Sequence, residues 1–198
     1  MVFSIPFQSP TDWSTVPAVE LTHCGWTPAC PIQAKAQLSC DGAALHVRMT
    51  AVERRIRATL TGALDPVCKD SCLEFFFAPW AEDPRYFNFE WNRLGALDLS
   101  FGTLRPTRIR QVPKNAQALF AFQSFETEDG WGVEYSIPLD FLRVYDPDYT
   151  FTGSAAGNFY KCGDETELPH FLSWAPMSSD TPDFHRRGDF GTFHFETP

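Results

Sequence analysis

Tyr86-Phe87-Asn88-Phe89-Glu90-Trp91-Asn92 alternates without a fault. Phe87, Phe89 and Trp91 fall on one side of an extended chain, and Tyr86, Asn88, Glu90 and Asn92 on the other. That period of two marks a strand with one apolar face. Upstream, Leu73-Glu74-Phe75-Phe76-Phe77 is an aromatic-rich strand closed by Pro79. Residues 43–51 set Leu45, Val47 and Met49 against His46, Arg48 and Thr50, and residues 55–61 set Ile56, Ala58 and Leu60 against Arg55, Arg57 and Thr59. Both stretches are expected to be strands.

Outward from this centre, further strands are expected at residues 97–101, 108–112, 118–122, 131–137, 158–162, 170–174 and 191–195. Asp129-Gly130, Asp146-Pro147 and Gly188 supply turns between them. Residues 139–142, after Pro138, are the one short helical turn. Ten or more short alternating strands predict an all-β chain, an antiparallel sandwich or barrel, and argue against a parallel α/β enzyme fold. No repeat, linker or low-complexity tract divides the 198 residues, so a single domain over residues 1–198 is expected.

The 19 Phe and 16 Pro favour strands and loops over a helix bundle. A net charge of −9, with a pI near 4.9, repels phosphate backbones and anionic lipid, so neither nucleic acid nor a membrane is an expected partner. The opening MVFSIPFQSP has neither a basic nor an apolar leader region. The chain as written is expected in the cytoplasm, or outside the cell if a leader has been trimmed.

Cys24, Cys30, Cys40, Cys68, Cys72 and Cys162 are expected mostly as reduced thiols, because a chain of this length does not need disulfides for a stable core. Cys68 and Cys72 are four apart, which is not a zinc CxxC spacing, and no second pair with a nearby His completes four ligands; one local disulfide or a metal is the alternative to ordinary thiols. His23, His46, His170, His185 and His194 are scattered, and no GxSxG, P-loop or GxGxxG motif is present. No catalytic metal is expected. Asp146, Asp148, Asp180 and Asp183 are turn formers first; their oxygens also suit a structural calcium ion.

Chemistry is expected on the polar strand face. Asn88, Glu90 and Asn92 point the same way at steps of about 7 Å, and Glu74 alternates with Leu73 and Phe75. Carboxylates and amides make paired hydrogen bonds to vicinal hydroxyls, while aromatic rings stack on the apolar face of a sugar. The plain alternative is a solvated sheet face. A glycosidase would draw an acid and a base or nucleophile, about 5–9.5 Å apart, from Glu74, Glu90 and Glu134. Arg54, Arg55, Arg57 and Arg105, Arg108, Arg110 form two basic clusters, expected to pair with neighbouring carboxylates on solvated strand faces; an anionic sugar is the alternative.

Three segments together resemble the family 9 carbohydrate-binding modules and their DOMON-like relatives. They are Asp70-Ser71-Cys72-Leu73-Glu74-Phe75-Phe76; Gly130-Trp131-Gly132-Val133-Glu134-Tyr135-Ser136-Ile137-Pro138-Leu139; and a C-terminal set of GNFYKCGD from Gly157, LSWAP from Leu172 and DFHRRGDFG from Asp183. Their order and spacing run over residues 40–195, and the likeness is to stand-alone bacterial members without an attached hydrolase. It implies a jelly-roll-like β-sandwich with one or two short helical turns, which binds a mono- or oligosaccharide without catalysis and needs no cofactor. By position it places ligand contacts on Glu74, Asn88, Glu90, Lys161 and Phe184, with Trp174 nearby.

Such modules clamp the ring between two tryptophans. Here Phe184 stands for one, and the region Pro66-Val67-Cys68-Lys69 carries no aromatic, so Trp80, Tyr86 or Trp91 is the expected second wall. Strand alternation turns Lys161 toward the ligand and Cys162 toward the core. Haem held by Met and His, as in some DOMON-like relatives, would draw on Met49 or Met177. It is the remotest alternative.

Overall fold

Two sheets face each other across the apolar residues singled out by the alternation. The structure, a computed structural model, describes residues 1–9, 11–27 and 30–197. Thirteen strands are β1 (Val2–Ile5), β2 (Val19–Glu20), β3 (Gln33–Cys40), β4 (Ala44–Val52), β5 (Cys72–Ala78), β6 (Tyr86–Asn92), β7 (Leu97–Gly102), β8 (Ile109–Gln111), β9 (Gln123–Thr127), β10 (Gly130–Pro138), β11 (Ser154–Cys162), β12 (Phe171–Ser173) and β13 (Gly191–Phe195). Two short α-helices, α1 (Ala116–Leu119) and α2 (Leu139–Arg143), and two 3-10 turns, Val67–Lys69 and Arg187–Asp189, complete the set among the described residues.

The larger sheet runs β1-β13-β11-β5-β6-β7-β8, with β12 also on β11; the smaller runs β2-β3-β4-β10-β9. Every pairing is antiparallel except β1 with β13. The all-β sandwich is therefore as expected. Leu73, Phe75, Phe77, Phe87, Phe89 and Trp91 of the larger sheet meet Leu45, Val47, Met49, Trp131, Val133 and Ile137 of the smaller, all buried. Offset stacks such as Phe75 on Phe159, 5.0 Å between centroids, and Phe87 on Phe101, 4.3 Å, fill the space between.

Two expected strands are absent. Residues 55–61 join no ladder beyond one backbone bond, Ser71 N to Arg57 O at 2.8 Å, because side chains take the place of a strand partner. Asp70 accepts the amides of Thr59 (2.8 Å) and Leu60 (2.9 Å), and Ser71 Oγ accepts that of Arg57 (3.0 Å). Within residues 118–122, Asn115 caps α1 by accepting from Ala118 N, and Ala121 then turns the chain at φ 47°. Strands β1, β2, β3 and β9 were not anticipated.

All seven residues of β5 and all seven of β6 are buried, outer face included. A sandwich needs only the inner face for its core, so something covers the other side. Asn92 of β6 donates to Leu60 O and to Asp70 from the first covering stretch (both within 2.9 Å). The loop carrying Phe184 and His185 lies over Phe76, Tyr86 and Tyr160. Between these two covers the outer face opens into a cleft.

Candidate functional site

Glu74, Glu90 and Asp98 form a row across β5, β6 and β7, each opposite the next in register. Strand parity puts all three on the outer face, and directly opposed residues have Cβ atoms about 4.5–5.5 Å apart. This row is the floor of a small cleft of about 160 Å³. Trp26, Phe171 and Phe184 form one wall, Arg105, Arg108 and Arg110 rim the β8 side, and Cys68, Cys162 and Asp164 close the remaining end.

The carboxyls sit in unlike company. Asp98 is paired with Arg110 at 2.8 Å and Arg108 at 3.4 Å. Glu90 accepts from Asn88 Nδ2 at 2.9 Å, and Glu74 accepts from the Cys162 thiol at 2.8 Å. Burial pushes the Glu74 carboxyl up to about 7, opposed by the thiol hydrogen bond and by Arg105 and reinforced by Asp164 and Asp98. Burial, then the neighbouring Glu74 and Asp98, holds Glu90 well above the usual carboxylate range. Near neutral pH the floor therefore holds a proton that it can donate, beside carboxyl oxygens that accept.

The wall is apolar and tightly set. Phe184 lies flat on Tyr160 at 4.1 Å and 13°, and Trp26 packs against both Phe184 (5.5 Å) and Phe171 (5.9 Å). Trp26 Nε1 donates to Ser179 O at 2.7 Å, which fixes the indole. His185 continues the same loop, its Nδ1 3.0 Å from the Tyr86 hydroxyl. Burial, then Arg108 and Arg105, pushes His185 down to about 3, so it is neutral at physiological pH.

Of the residues singled out in the sequence, Glu74, Glu90 and Phe184 meet in this cleft. Asn88 shares their face but is wholly buried, serving Glu90 from below. Lys161 is corrected: it points between the sheets, with Nζ 2.7 Å from His170 Nε2 and 3.1 Å from Glu53. It shares strand parity with the core residue Phe159, so Cys162, expected in the core, is the residue that faces the cleft. Trp174 belongs to the interior, stacked on Phe193 at 5.5 Å and 10°.

Glu134 lies on the outer face of the other sheet, paired with Arg48 at 2.9 Å, so it cannot join Glu74 or Glu90. Trp91 is core, Trp80 packs on Tyr149 and Phe101, and Tyr86 underlies His185. The second aromatic is instead Trp26, from a loop that no strand pattern marks. It lies beside Phe184, so the aromatic surface is one wall and not a clamp. Arg54 and Arg55 pair on the surface with Asp129 and Glu167, and Arg57 with Asp70, as expected, but the second basic cluster is the rim of the cleft. Asp146 holds Trp80 Nε1 at 2.8 Å, and Asp183 accepts the His185 amide at 3.1 Å. Met49 is core, and the Met177 sulfur lies 3.8 Å from Asn158 Nδ2.

The model of carbohydrate-binding family 9 matches residues 8–195. A solved protein from Bacteroides uniformis ATCC 8492, whose carbohydrate binding is itself an inference, is 28% identical at a TM-score of 0.85, with 98% of this chain and 99% of that one covered. A family 9 module from Caldicellulosiruptor kristjanssonii in complex with cellotriose shares the fold at TM-score 0.68 and 13% identity, covering 100% of this chain and 95% of that one. The module from the same organism in complex with glucose gives 0.66 and 12%, covering 100% and 97%. No curated protein matches the chain.

Proposed function

This chain belongs to carbohydrate-binding family 9, a family of binding modules, and from that premise we propose that its cleft holds a small saccharide or the end of a sugar chain without cleaving it. One observation carries the reading. Within a single cleft, Glu74, Glu90 and Asp98 present a row of planar oxygen groups, and Trp26 and Phe184 present an apolar wall beside it. Hydroxyls of a pyranose fit the first and its C–H face fits the second. Arg105, exposed on the rim, adds donors for outward hydroxyls. Residues 1–198 act as one binding domain in this reading.

A raised carboxyl beside a second carboxyl is also what a glycosidase uses. That reading stands second because the matched family is one of binding modules. Calorimetric titration with glucose, cellotriose and other mono- and oligosaccharides, with calcium and with EDTA, tests binding. A reducing-end assay on the same mixtures tests hydrolysis. Saturable heat without new reducing ends supports the proposal. Absence of heat with every sugar, or steady release of reducing ends, refutes it.

A further inference from the structure

The closed end of the cleft holds a group that saccharide binding does not require. Cys72 of β5 and Cys162 of β11 are opposite each other in register, and Glu74 is the next outward residue on β5. The two sulfurs and a Glu74 oxygen lie within 4.8 Å of one another, all three side chains buried. Cys68, in the turn before β5, lines the same end of the cleft, and its carbonyl is 3.5 Å from Cys162 Sγ.

Buried cysteines are ordinarily small apolar residues, and Val67 and Ala96 beside this cluster suit that role. A carboxylate among them does not. Glu74 is 2% exposed, and its donor is a thiol, a weak one. Lys161 is engaged with Glu53 and Arg108 and Arg110 with Asp98, and Arg105, which opposes the rise of Glu74 only from the exposed rim, makes no ion pair with it. A buried carboxylate without a strong partner is costly, and a cation on the two sulfurs would supply one.

We propose that Cys72, Cys162 and Glu74 bind a thiophilic divalent cation of the zinc class, with the fourth position open toward the cleft. Thiolate ligands select zinc over calcium or magnesium, which prefer oxygen. Zinc bonds of about 2.0–2.3 Å in a tetrahedron set ligand atoms about 3.5–3.8 Å apart, so Cys162 Sγ and Glu74 Oε1 part from 2.8 Å by about 0.7 Å, and the other separations, none above 4.8 Å, close by at most about 1.3 Å. Binding transfers the two thiol protons, and any proton held by Glu74, to solvent and changes no oxidation state. The bound ion ties β5 to β11 beneath the aromatic wall.

The test is a titration of the reduced, metal-stripped protein with Co²⁺, then with Zn²⁺ against a chromophoric chelator. One equivalent per chain is expected, with thiolate-to-cobalt charge transfer and tetrahedral ligand-field bands that Zn²⁺ abolishes. Glu74→Gln and Cys162→Ser are each expected to weaken zinc by more than the roughly 10–100-fold that a supporting residue costs. If the serine variant fails to fold, as judged by circular dichroism, the near-isosteric Glu74→Gln change carries the test. The double variant Cys24→Ser, Cys30→Ser is expected to bind unchanged. Absence of the charge-transfer band, or loss of binding in that double variant, overturns the proposal. Saccharide is titrated separately, so a chain that binds sugar but not cobalt overturns this inference alone, and the reverse result overturns only the saccharide reading.

Discussion

Glu74 and Glu90 face each other in register on adjacent strands, 2% and 3% exposed, with no charged residue between them. Two carboxylates so close and so dry do not both ionise near neutral pH. That one relationship sets both the hydrogen-bonding character of the cleft and its response to acid.

The folded chain holds the Glu74 proton up to about 7, against an ordinary 4.5. Between these values the folded state binds more protons than the unfolded state, so this group makes stability fall as pH rises. His170 and His185, pushed down to about 4 and about 3, act with the opposite sign below 6.5. Comparison with Glu74→Gln removes the histidine contribution, which both proteins share. In EDTA the variant should gain on the wild type between about pH 4.5 and 7, by a total on the order of 3 kcal/mol. Urea unfolding across that range checks it; a constant difference would contradict it.

Removing the aromatic wall should weaken saccharide without unfolding the chain. Phe184→Ala and Trp26→Ala each lose a stacking surface worth about 0.5–1.5 kcal/mol beyond area burial, or up to roughly tenfold in Kd. Trp174→Ala, a core change, should lower Tm, whereas the two wall variants act mainly on Kd. Equal affinity in wild type and Phe184→Ala would move the ligand elsewhere.

Lys161 and Glu53 are a buried pair, the lysine fully so, with His170, Trp131 and Ser71 completing the hydrogen bonds around them. Lys161→Met should cost about 3–5 kcal/mol by stranding Glu53. Adding Glu53→Gln should restore more than half of it. Additive losses in chemical denaturation would mean that the pair is not coupled.

Asp70 substitutes for a strand partner along residues 55–61, so Asp70→Ala should release that stretch. Loss of two amide bonds to a charged acceptor predicts about 3 kcal/mol or more. Hydrogen exchange should show Thr59 and Leu60 unprotected while Phe75 and Phe89 keep their protection. Unchanged exchange at Thr59 would refute the role.

Much of the sandwich was legible because β4, β6 and β10 alternate cleanly and are long enough to show it, and because β5 is a run of aromatics closed by a proline. Strand β3 alternates as well, Ala34, Ala36 and Leu38 against Lys35 and Gln37, but small residues make a faint stripe. Residues 55–61 alternate too, yet their hydrogen bonds go to Asp70, a choice that periodicity does not encode. In the site, Glu74 and Glu90 were legible as polar residues between core aromatics. Lys161 departs from the expectation that charge marks the outer face, because its parity with Phe159 turns it inward, where it meets Glu53. Trp26 reaches the cleft from a loop some 50 residues before the floor it overlooks, and nothing local signals that.

The floor and the wall of the cleft also differ in when the chain can make them. Strands β5, β6 and β7 follow one another and form a local meander, so the carboxyl row can assemble as soon as Gly102 is present. The wall needs Phe171 and Phe184, and the edge needs β13 before β1 has a partner. Such distant pairings form slowly. Ligand capture therefore comes last in biogenesis, and a half-made chain with a complete acidic floor would still be blind to its ligand.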